Sequence, residues 1–87
     1  MREDIFNEFT NEVADSLSKQ LYGKEHEMTN SVFMETIILT TILKTSKKMK
    51  NKLMNNPHYG VKKEDVNQVV IDIATEINAR LRNHFSL

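Results

Sequence analysis

The residues of this chain best equipped for chemistry with a partner are its lysines. Lys44, Lys47, Lys48, Lys50 and Lys52 crowd into nine residues, and Lys62 and Lys63 follow in the next stretch. An ammonium group attracts phosphate or carboxylate as a compact point charge. It lacks the planar fork with which arginine reads a base edge or grips a carboxylate in two places. No arginine lies in the run. Two partner chemistries follow: an acidic protein surface, or a nucleic-acid backbone contacted with weak sequence preference. Lys44, Lys47, Lys48 and Lys52 are the candidate partner-binding residues. The plainer alternative is a solvated helix end, where the helix dipole favours cations.

Charge is distributed unevenly along the sequence. Met1–Met28 carries −4, Thr29–Lys63 carries +6 and Glu64–Leu87 carries −2, so the total is zero. A basic island between acidic flanks argues against a general DNA coat and for a local contact patch. The acids of the first segment are expected to face away from that island.

Other candidate groups do not assemble into a reactive constellation. Glu25, His26 and Glu27 are three potential metal ligands, but neighbours in sequence cannot all converge on one ion, and no second cluster completes a site. The chain has no cysteine, which removes disulfides, thiol nucleophiles and thiolate metal sites. Glu35 is the only acid between Met28 and Lys63 and has no second titrating group near it in sequence. His58 falls in a loop and His84 at a helix end. There is no nucleophile–base pair, phosphate loop or paired-carboxylate motif, so the expectation is a protein that is not an enzyme and needs no cofactor. Tyr59–Lys63 is faintly similar to the turn of a helix-turn-helix. Pro57 interrupts the helix that should precede it, and Glu64, Asp65, Asp72 and Glu76 on the following helix would repel phosphate.

Three helices must position these groups. Over Glu3–Tyr22, Phe6, Phe9, Val13, Leu17 and Leu21 recur at three- and four-residue spacing, and Gly23 stops the helix. A polar connector, Lys24–Met28, leads to a cap at Thr29, Asn30 or Ser31. The central helix then runs to about Asn55, where Asn55-Asn56-Pro57 ends it. Its β-branched run ETIILTTIL would also suit a strand, but no turn signal breaks it before the lysines. The last helix spans roughly Lys63 to His84, with Val66, Val70, Ile73, Ile77 and Leu81 as its stripe, Val69 at the edge, and Glu76 placed to pair with Arg80. The longest strongly apolar run, Ile37–Leu39, is far short of the roughly 20 residues that span a bilayer. One all-α domain over residues 1–87, a three-helix bundle with a long central helix, is the expected fold. Cytoplasmic location is the default expectation, and MREDIF does not read as a signal peptide. The Asn-, Lys-, Ile- and Met-rich composition suggests an AT-rich bacterial, phage or mobile-element origin.

The central helix carries one apolar face more than a simple stripe requires. Ile38, Leu39, Ile42, Leu43, Met49 and Leu53 make a stripe along its length, with Glu35 in line. Phe33, Met34 and Ile37 point roughly the other way, continued by Thr41 and then Lys44 and Lys48. Either the outer helices straddle the central one and bury both faces, or the second face is a contact surface. On the second reading Phe33, Met34, Ile37 and Thr41 form a homodimer interface. The function expected is an adaptor or inhibitor acting by surface contact with an acidic protein. A nucleic-acid-binding regulator that uses the same lysines on phosphates is the alternative.

Overall fold

Acids, caps and two left-handed glycines set where the helices begin and end. The computed structural model describes residues 2–87, and every regular element among them is helical. Helix α1 spans Glu3–Leu21 and opens on Glu3 and Asp4, the charges that suit a helix N-terminus. Tyr22 leaves the helix and Gly23 takes a positive φ of 76°. A single 3-10 turn, Glu25–Thr29, leads into helix α2, Ser31–Asn55. Of the three capping candidates Asn30 is the one used: its side-chain oxygen accepts the Phe33 N–H at 3.1 Å. The β-branched run is helical throughout. Packing on both sides overrides its strand propensity, and the Thr36 and Thr40 hydroxyls fold back onto the carbonyls of Val32 and Thr36.

Pro57 begins a 3-10 turn through Tyr59, and Gly60 closes it with φ 70°. Arg2 reaches across to donate to the carbonyls of Tyr59 and Gly60, which ties this loop to the start of α1. A further 3-10 turn, Lys63–Asp65, runs into helix α3, Val66–His84.

Both outer helices pack on α2, and the α1–α3 contact is much smaller. Ile5, Phe9, Val13 and Leu17 of α1 meet Met34, Ile38, Ile42, Met49 and Leu53 of α2 and Val66, Val70, Ile73 and Ile77 of α3 in one core. The α3 stripe has its expected composition, with Leu81 and Val69 half-buried at its margin. In α1, Ile5 replaces Phe6 at the centre, and Phe6 packs from the side with the Arg80 guanidinium 4.9 Å over its ring.

The expected α2 stripe is corrected in two places. Leu39 and Leu43 are not buried; they are 54% and 55% exposed. Met34, Thr41 and Thr45 take inward positions instead. The reason is a rotation of the buried arc. α1 and α3 clasp α2 from two sides, so the enclosed arc lies between the two apolar stripes rather than along either. Thr41 fits inside because its hydroxyl oxygen accepts from Gln20 Nε2 at 2.8 Å.

Candidate functional site

The lysine run is split by the fold into two populations. Lys48 Nζ lies 2.9 Å from Glu12 Oε2, and Lys52 Nζ lies 3.8 Å from both Glu8 and Glu12. Tyr59 joins this cluster by donating its hydroxyl proton to the Glu8 carboxylate at 2.9 Å. The expectation that the α1 acids face away from the lysines is therefore wrong for Glu8 and Glu12. They flank the apolar stripe of α1, and antiparallel packing brings that flank against the C-terminal half of α2. The Lys48 ammonium holds the Glu12 carboxyl below its ordinary pKa range, against a smaller opposing push from burial. The hydrogen bond to Glu8 holds the Tyr59 phenol above its own range.

Lys44, Lys47 and Lys50 make no ion pair among the described residues. Lys44 borders an open depression of about 270 Å³ between α1 and α2, together with Glu12, Asp15, Ser16, Lys19, Thr45 and Lys48. Charges of both signs line it, so it has no single electrostatic preference. Of the four lysines expected to bind a partner, Lys44 and Lys47 are exposed and unpaired, whereas Lys48 and Lys52 are committed to α1.

The residues expected at an oligomer interface are also divided. Met34 and Thr41 are 1% and 2% exposed within a single chain, so neither lies on a surface. Phe33 and Ile37 are half-buried against the core. The straddled arrangement accounts for this face. The apolar surface that the fold leaves open is on the opposite side of α2.

That outer face is formed by Val32, Thr36, Leu39, Leu43, Lys47, Lys50 and Met54, all exposed. Val32 is 72% exposed. Glu35 pairs with Arg82 of α3 at 3.1 Å and marks where these two antiparallel helices lie level. About three turns further along both, Ser46 of α2 comes level with Ile71 of α3. Ile71 is 56% exposed, so a further apolar residue stands open on α3 at that level. Val32 and Ile71 were not among the sequence candidates. The signal for the α2 half of this face was present in the spacing: Val32, Thr36, Leu39, Leu43, Ser46 and Lys50 follow one another at alternating intervals of four and three.

A narrower groove of about 110 Å³ lies between α1 and α3, lined by Phe6, Thr10, Val13, Ala14, Ile77, Arg80 and Leu81. The buried Thr10 hydroxyl has no hydrogen-bond partner there among the described residues. Glu25 accepts the Gly23 N–H at 3.2 Å, which gives it a local role in the turn after α1. No described group of three or more His, Cys, Asp and Glu side chains is placed to share an ion. No helix among the described residues is long and apolar enough to cross a membrane. Comparison of the chain with known protein families, with characterised proteins and with solved structures finds no match.

Proposed function

We propose that this protein is a small contact module, an adaptor or inhibitor without catalytic activity, built as a three-helix bundle that self-associates. Its working surface is the outer face of α2, where Leu39 and Leu43 run into Lys47 and Lys50, with Lys44 at the flank. The observation that carries this reading is the exposure of Leu39 and Leu43 at 54% and 55% beside lysines that the fold leaves unpaired. The apolar area of Leu39 and Leu43 supplies self-association, while the ammonium groups of Lys44 and Lys47 beside it select an acidic partner and hasten its encounter. The nucleic-acid alternative loses support from the pairing of Lys48 and Lys52 with Glu8 and Glu12. Fewer free cations remain, and α1 sets carboxylates beside them.

The test is capture from a lysate of the source cell, treated with nuclease, by the wild type and by a Lys44→Glu/Lys47→Glu variant. An acidic protein retained by the wild type and lost by the variant is the expected result. Identical captured sets would remove the lysines from the function. Capture that nuclease abolishes would turn the reading to nucleic acid.

A further inference from the structure

The outer face of α2 has a symmetry of its own. Its residues Val32, Thr36, Leu39, Leu43, Ser46 and Lys50 are spaced four, three, four, three and four apart, the interval pattern of a coiled-coil seam. Read from its midpoint, the pattern is nearly the same in both directions. Leucine stands nearest the centre on each side, then a hydroxyl residue, then the end residue. Both hydroxyls are already satisfied within α2: Thr36 donates to the Val32 carbonyl at 2.8 Å and Ser46 to the Ile42 carbonyl at 2.7 Å. Their protons therefore stay bonded when the contact dries.

From this face we infer that its occupant is a second copy of the same chain, with the two α2 helices antiparallel. The inference rests on the proposed role of this surface and names what covers it. In the antiparallel arrangement Leu39 of each copy meets Leu43 of the other, Thr36 meets Ser46, and the aliphatic stem of Lys50 lies over Val32. Charge decides the direction. A parallel pair would set Lys50 against Lys50 across the two-fold axis, and like charges there are unfavourable. The antiparallel pair separates those lysines and carries each Lys50 to within about one turn of Glu35, the only acid on α2, in the second copy. A lysine at a seam position of this kind specifies register. Ile71 flanks the seam from α3 and widens the apolar contact. The same pairing brings Lys44 and Lys47 of both copies to one side, so an acidic partner meets twice the basic surface that one chain offers.

The chain has no cysteine, so an introduced one is the only thiol. Thr36 is exposed and Ser46 half-buried outside the core, and replacing either with cysteine leaves the core untouched. Facing seam positions of paired helices lie close enough for a disulfide. Under mild oxidation, a mixture of the Thr36→Cys and Ser46→Cys proteins, both of which keep Lys50, gives a linked dimer that neither protein gives alone. Linkage within each separate protein would show a parallel pair and overturn the inference, while leaving the outer face as a contact surface. No linkage in any sample, with wild-type protein that sediments as a monomer, would overturn it outright. The capture experiment then decides separately whether an acidic partner uses the flanking Lys44 and Lys47.

Discussion

Two pairs of lysines on α2 differ only in which way the helix turns them. Lys48 and Lys52 lie along the α1 side and are neutralised by Glu8 and Glu12, whereas Lys47 and Lys50 lie on the outer side and have no carboxylate. The same division separates Ile38, which is 1% exposed, from its neighbour Leu39, which is 54% exposed. Side-chain chemistry is alike within each comparison; position on the helix is not. The inner side of α2 packs into the core, and its outer side stands largely open. Apolar and basic groups kept where the fold does not need them are the basis for assigning that side to contact.

The largest effect separates the two neighbouring aliphatic residues. Ile38→Ala removes a fully enclosed side chain and should cost about 2–5 kcal/mol, through lost burial and the cavity left behind. Leu39→Ala should change the stability of the single chain by no more than about 0.5 kcal/mol. Urea denaturation at low protein concentration reads both. Equal losses would mean that Leu39 is part of the core and that the comparison is false.

A smaller effect separates the lysines. Lys48→Glu places like charges against Glu12 and should destabilise the chain by roughly 1 kcal/mol, a modest figure because the pair is partly open to solvent. Lys47→Glu should be nearly neutral by the same measurement. If Lys47→Glu proved the more damaging change, the division of the run into structural and free lysines would be reversed.

The three helices and their approximate ends were legible from periodicity and stop signals, because Gly23 and Pro57 leave few other ways to divide the chain. The α3 stripe was legible because Val66, Val70, Ile73 and Ile77 are apolar on one side only. The orientation of α2 was not. Apolar residues lie on nearly every side of its N-terminal half, so composition alone cannot say which arc the neighbours enclose. Thr41 and Thr45 enter the interior in place of Leu39 and Leu43, and polarity counts against them in any reading of the wheel. The Glu8–Lys52 and Glu12–Lys48 contacts join residues far apart in the chain, and only the packing of α1 on α2 creates them.

The smallest effect concerns pH. Glu12 has a lower pKa folded than unfolded because of Lys48. The stabilisation it gives is therefore complete above the ordinary carboxylate value of about 4.3 and is lost as pH falls through the folded value. Lys48→Met should flatten that acid limb of the stability curve, whereas Lys47→Met should leave it unchanged. An identical acid limb in wild type and Lys48→Met would show that the Glu12 contact does not persist in solution.

The most direct test of the outer face as a contact surface is the sedimentation of the wild type across a concentration series, set beside a Leu39→Glu/Leu43→Glu variant. The wild type is predicted to pass from the mass of one chain to that of two on the order of 10 μM, a dissociation constant worth about 7 kcal/mol. The variant is predicted to remain a single chain with unchanged helical circular dichroism, because a carboxylate buried without a partner opposes the contact but not the fold. A wild type that sediments as one chain at every concentration, or a variant that associates equally well, would contradict the account.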